Sequence, residues 1–308
     1  MSEDNDCQLF NVSTDSILNN VMFLDHDEKK IHLIVEGDSD TATLVRPIIK
    51  SLGLEPDSFS VSSVNGRERV IEACLEGKER GYQRVCYMAD RDYFRYVDDF
   101  QLSRLGQEDH SALYNFVQSD SHDFFMDLFL QLSDQFAFYF DHKKRIPVYS
   151  DNNGVTNYDL SSSSLGDDLI DFTFELAGII SHFQILQLES RSKKKLKIYR
   201  SHINDLIDQS SQFDRLQKLN TIYDVGVSSN VEISKSRWKS DEPFHDAILR
   251  IGDHDLQFIL KRVAKQKFGI AVSEDELVTH VSLWGSEADL SRFGWYGILD
   301  KILQVANR

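Results

Sequence analysis

Two short apolar runs in the first third of the chain each stop abruptly in acid. Ile31, Leu33, Ile34 and Val35 lead into Glu36-Gly37-Asp38, and Val85, Tyr87 and Met88 lead into Asp90-Arg91-Asp92. Continuous apolar runs of this kind predict strands covered on both faces, the habit of parallel sheets. Between them, Leu44, Val45, Ile48, Ile49 and Leu52 recur at helical spacing and Gly53 closes the element. Asp38, Ser39 and Asp40 are N-cap types ahead of that helix, and Pro47 is expected to kink it or end it early. A second strand over Phe59 to Val64, an Asn65-Gly66 turn and a helix from about Arg67 to Arg80 follow, the helix carrying Val70, Ile71, Cys74 and Leu75 on one face. Strand, helix, strand, helix, strand predicts right-handed crossovers and a mainly parallel α/β sheet flanked by helices. Glu36 and Asp90 then stand at the carboxyl ends of strands, where such sheets gather their ligands.

Leu113 to Phe140 is strongly apolar and aromatic, with Asp120, His122, Asp123 and Asp127 interspersed. Asp123 and Asp127 are four apart and lie one above the other on a helix. Tyr149 to Asp168 has the composition of a linker. The expected organisation is an N-terminal segment over 1–30, a catalytic α/β domain over 31–149, a linker over 150–168 and a mostly helical C-terminal domain over 169–308. In that last part Leu169 to Leu188, Leu196 to Leu219, Phe244 to Phe268, Glu274 to Trp284 and Phe293 to Val305 show helical periodicity. The first two of these predict a long helical hairpin.

The formal net charge of −16 over 308 residues weighs against generic nucleic-acid binding, which leans on cationic contacts to phosphate. It leaves room for a nuclease whose bound cation meets the scissile phosphate. Converging carboxylates repel one another and resist burial unless a cation joins them, and hard oxygen ligands suit magnesium or manganese. Arg191, Lys193, Lys194, Lys195, Lys197 and Arg200 form a basic stretch suited to phosphate, and His142, Lys143, Lys144 and Arg145 form a smaller one. Arg67 and Arg69 beside Asn65-Gly66 join a phosphate role if they face the strand ends. Cys7, Cys74 and Cys86 follow neither a disulfide nor a zinc pattern, and the polar start of the chain lacks the layout of a signal peptide. Both point to the cytoplasm. No G-x-G-x-x-G follows the first strand and no G-x-x-x-x-G-K loop is present, which excludes the usual dinucleotide and Walker-type sites.

The order of elements around VEG (Val35 to Gly37) and DRD (Asp90 to Asp92) resembles the TOPRIM fold, the catalytic module of topoisomerases, bacterial primases and overcoming-lysogenization-defect nucleases. The resemblance is strongest to the stand-alone TOPRIM effectors of the PARIS anti-phage system. SDSHDFFMDLF (Ser119 to Phe129) and GDHDLQFIL (Gly252 to Leu260) are also similar to that group, although the family places an acid where this chain has Phe125. The resemblance implies catalytic and metal-binding roles for Glu36, Asp90 and Asp92, with Asp123 as a further ligand and Asp127 in reserve. It also implies cleavage of RNA such as tRNA to halt phage growth, an ABC-type ATPase partner that holds the nuclease inactive until infection, and an active homodimer.

The leading expectation is therefore an endonuclease dependent on magnesium or manganese, with Arg67, Lys193, Lys194, Lys195 and Lys197 as contacts to nucleic acid. The alternatives are a TOPRIM nuclease acting on DNA and a non-catalytic acidic subunit of a defence complex. His254 and Asp255 read more readily as a structural pair at a helix start than as part of a site.

Overall fold

The structure is a computed structural model that describes residues 30–55, 58–91, 115–145, 165–189, 200–211, 214–215, 217–219 and 251–306. Residues 1–29 of the expected N-terminal segment, Asp92, and Lys193, Lys194, Lys195 and Lys197 lie outside these residues.

Among the described residues, four parallel strands form one sheet in the order β2-β1-β3-β4: β1 Ile31–Val35, β2 Phe59–Ser63, β3 Val85–Ala89 and β4 Phe116–Gln118. Leu33 pairs with Val61 on one side and Cys86 on the other, and Met88 pairs with Val117. All five residues of β1 and of β3 are buried, as runs covered on both faces must be. The expected α/β class thus holds, with a helical C-terminal region. β4 was hidden in the sequence because it is three residues long and sits in an aromatic stretch otherwise helical.

Alternation along the strands divides the core. Ile31, Leu33, Val35, Cys86, Met88 and Val117 belong to a large cluster with Leu44 and Ile48 of α1 (Asp38–Ser51). Ile34, Val85, Tyr87, Ala89 and Phe116 turn to the other face and pack on Val70, Ile71, Ala73 and Cys74 of α2 (Arg67–Arg80). Leu75, expected in that face, is exposed. α1 runs through Pro47 for four more residues rather than ending there. The Pro47 ring lies on α8 (Glu274–Gly285), where a Cβ on Gly285 would come within 3.2 Å of its Cγ.

The large cluster extends through α3 (Phe124–Gln131), α4 (Ser133–Arg145), α5 (Leu165–Glu189), α6 (Arg200–Ile207), α7 (Asp253–Phe268), α8 and α9 (Gly294–Ala306). The two domains read from the sequence therefore share a single core. α5 begins at Leu165, inside the expected linker, and packs on α4 and α7, while α6 packs on α7. α8 lies on α1 and α3, and α9 reaches β4, so the C-terminal region covers the sheet directly. Among the described residues no helix is long and apolar enough to cross a membrane.

Candidate active site

β1 leads through α1 to β2 on one side, and β2 leads through α2 back across β1 to β3 on the other. The strand order therefore reverses between β1 and β3, and the crevice beyond their carboxyl ends is where open α/β sheets bind ligands. Glu36 leaves β1 and Asp90 leaves β3 at that point. Fifty-four residues apart in sequence, they meet: the Asp90 N–H donates to Glu36 Oε1 at 2.7 Å.

The turn after β2 locks this arrangement. Gly66 has φ +122, a conformation that favours glycine, and its N–H donates to the Glu36 carbonyl at 3.0 Å. The Asn65-Gly66 turn thus fixes Glu36 rather than offering that N–H to a phosphate. Arg67 does face the strand ends, with Nη1 donating to the Arg91 carbonyl at 3.0 Å. Asp90 is anchored from the far side, its Oδ1 accepting from the Phe124 N–H at 3.2 Å.

Glu36 and Asp90 open on a cavity of about 430 Å³, a size suited to a small ligand or a phosphodiester group. Asp40, Asp123, Asp253 and Asp255 also line it, which makes six carboxylates among the described residues, with His122 and His254 beside them. Among the described residues in its wall there is no lysine or arginine. What opposes the acids is backbone. The N-caps of α1, α2, α3 and α7 (Gly37, Gly66, Asp123 and Gly252) all border the cavity. Each helix start carries roughly half a positive charge, about two in all, against as many as six negative ones. The balance leaves the cavity anionic.

Three of the acids are engaged locally. Asp40 accepts from the Gly37 N–H at 3.0 Å, so Gly37 is the N-cap, and Asp40, expected as a capping type, instead sits at the third helical position and supplies the one side-chain half of a capping box. Asp123 caps α3 through Oδ1, 2.8 Å from the Met126 N–H, and its Oδ2 accepts from His122 Nδ1 at 3.2 Å and from the Asp253 N–H at 2.7 Å. Asp253 is held well above the ordinary carboxylate range, at about 6, by burial and then by the Asp123 charge. His254 is an exposed residue at the start of α7, its ring 3.9 Å from Asp253 Oδ2. Asp40, His122 and Asp253 are wall residues that sequence reasoning missed, and His254 and Asp255, expected as a structural pair, line the cavity as well. GDHD reads as a helix start, and nothing local says that it lies against residues 122–123.

Asp127 is not in the cavity. It is buried, and its Oδ2 accepts from the Asp120 N–H and from Trp295 Nε1, both at 2.9 Å. Its Oδ1 accepts from the Ser121 N–H at 2.7 Å and lies against Ser121 Oγ. Burial pushes its carboxyl up to about 7 against the pull of these donors. The reserve role as a metal ligand is thus replaced by a structural one.

Lys143 and Lys144 of the smaller basic stretch are also structural. Lys143 pairs with Glu276 across α4 and α8, and Lys144 donates to the Phe268 carbonyl at 2.7 Å.

As a metal site the described residues supply the right chemistry in part. Glu36 and Asp90 are hard oxygen donors suited to magnesium or manganese, which keep several waters and need few protein ligands. Among the described residues, however, no three His, Cys, Asp or Glu side chains are gathered closely enough to share one ion. Comparison of the chain with protein-family models, with curated proteins and with solved structures gave no match.

Proposed function

We propose that the chain is a divalent-metal-dependent phosphodiesterase, and in particular an endonuclease, working in the cavity between the ends of β1 and β3. The observation that carries this reading is the meeting of Glu36 and Asp90 at the switch point of the sheet, in an acid-lined cavity with no lysine or arginine among the described wall residues. Glu36 and Asp90, with Asp92 two residues on, would hold magnesium or manganese. When bound, the ion supplies charge to the phosphate and lowers the pKa of a bound water. The chain's own part is positional. The Asp90 N–H orients Glu36 as ligand or general base, and the Phe124 N–H fixes Asp90. The helix starts favour non-bridging phosphate oxygens, and Phe125 and Val278 supply apolar wall. Lys193, Lys194, Lys195 and Lys197 are the proposed contacts to the nucleic-acid backbone beyond the scissile bond.

The resemblance to TOPRIM effectors extends the proposal to RNA, tRNA above all, as substrate. It also suggests an ATPase partner that restrains the enzyme until infection, and a homodimer as the active form. The test is incubation of the purified protein with magnesium and either tRNA or duplex DNA, beside Glu36→Ala. Magnesium-dependent cutting of tRNA that disappears in the variant is expected. Equal cutting by both proteins, or none by the wild type, overturns the assignment. The net charge of −16 favours one other reading, a non-catalytic acidic subunit whose cavity receives a basic partner. That reading predicts no rise in melting temperature with magnesium, whereas a metal site gains stability by linkage.

A further inference from the structure

α9 begins 174 residues after Asp120 in sequence, yet its first turn is built into the loop that carries the site. The Gly294 N–H donates to Asp120 Oδ2 at 2.7 Å, and Trp295 Nε1 donates to Asp127 Oδ2 at 2.9 Å. Trp295 is only 1% exposed, and its ring meets Phe124 edge-on at 5.5 Å. Phe124 is the residue whose N–H holds Asp90 Oδ1. The same loop grips the other end of the acid segment. The Arg91 N–H donates to Ser119 Oγ at 2.9 Å, Arg91 Nη1 donates to the Asp120 carbonyl at 2.6 Å, and Ser119 Oγ donates to the Ser121 carbonyl at 3.0 Å. Asp127 ties the loop together by accepting from Asp120 and Ser121.

We infer that Trp295 is a positioning residue for the acid edge: through its indole N–H to Asp127 and its ring on Phe124, the last helix sets the 119–124 loop that holds Asp90 and Arg91 in place. The site read as catalytic therefore depends on a residue near the end of the chain that never faces the cavity. An indole suits this position because it is both a large apolar ring and a single N–H donor, and both halves are used. Loss of the N–H leaves Asp127 with one donor fewer in a buried setting, and the loop that Asp127 organises is released first.

The inference rests on the functional reading only for its catalytic meaning, and the test separates the two. Trp295→Phe keeps a ring and removes the donor. The control is Ile203→Ala, a buried truncation on α6, chosen because it destabilises the core without touching the loop. Two quantities are read: hydrogen exchange at the Asp90, Arg91 and Phe124 amides, and the affinity for manganese by calorimetry. Trp295→Phe is expected to raise exchange at these three amides at least about tenfold and to weaken manganese by about tenfold, the lower end of the cost of losing an outer-shell partner, because Trp295 acts through Phe124. Ile203→Ala, at a similar loss of melting temperature, is expected to leave both within about twofold. Exchange in Trp295→Phe that matches the control overturns the positioning role. Absence of manganese binding by the wild type overturns the functional reading, and the exchange arm still decides on Trp295.

Discussion

Two groups of acids flank the first turn of α3, and they are built on opposite terms. Asp127 and Asp120 form a closed knot: Asp127 is buried, and backbone, hydroxyl and indole donors converge on its two oxygens. Glu36, Asp90, Asp123 and Asp253 look into a cavity whose described walls contain carboxylates, two histidines and helix starts but no lysine or arginine. A carboxylate met on every side by donors is a fastener. One left facing others of its kind across a space is held by the fold for something that is not the fold. The difference teaches that acids are read by what the chain brings opposite them: Asp123 and Asp127 are one helical turn apart and both accept from local donors, yet only Asp123 also borders the cavity.

The sharpest way to break the contrast is to neutralise one acid of each kind. Glu36→Gln is expected to lower magnesium-dependent cleavage at least about a thousandfold, matching the several kcal/mol that a metal clamp supplies. It should leave urea-induced unfolding unchanged or slightly more resistant, because like charges are relieved. Asp127→Ala should do the reverse in order of cause. It strands the Ser121, Asp120 and Trp295 donors in the interior and costs roughly 3 kcal/mol in urea unfolding, with activity failing only as the loop loosens. If Glu36→Gln destabilises as much as Asp127→Ala, the two groups are not different in kind.

A smaller effect is expected from pH. The folded-state carboxyls of Asp127 and Asp253 are raised to about 7 and about 6, from 3.8. Raised carboxyls bind protons more tightly in the folded protein than in the unfolded chain. Their share of stability is present at low pH and is lost as pH climbs from about 4 through 7. Melting temperature should therefore rise as pH falls from 8 to 6, a trend that easing of the net charge of −16 reinforces. Asp127→Asn should flatten the part above pH 6, and a melting curve indifferent to that substitution would count against a proton on Asp127. Magnesium should substitute for protons in the cavity. At a hundred times its dissociation constant it stabilises by about 2.7 kcal/mol, and by less in Asp90→Ala. The least expected change is Lys143→Ala. It removes the partly exposed pair with Glu276 and should cost about 1 kcal/mol or less with no change in cleavage.

The parts of this that a linear reading reaches are those encoded locally. The apolar runs of β1 and β3 stop in acid, and parallel pairing of neighbouring strands brings Glu36 to Asp90. α2 spans the very residues its periodicity marks, from Arg67 to Arg80. What escapes is whatever depends on distant pieces arriving. β4 is three residues long and becomes a strand only because β3 offers it an edge. Asp253 looks like an ordinary first-turn acid until α7 is seen to begin on Asp123. The linker-like composition before Asp168 suggested two bodies, yet α8 lies against α1, so one core results. The choice between Asp123 and Asp127 turns on the indole of Trp295, and no spacing within 119–129 announces it.

A cation shared by Glu36 and Asp90 is the centre of the proposed chemistry, and a crystal structure of the protein grown with manganese tests for it directly through the anomalous signal. One ion is predicted between the ends of β1 and β3, with carboxylate oxygens of Glu36 and Asp90 about 2.1 Å away. A cavity without an ion at saturating manganese, or an ion held away from both residues, would contradict it.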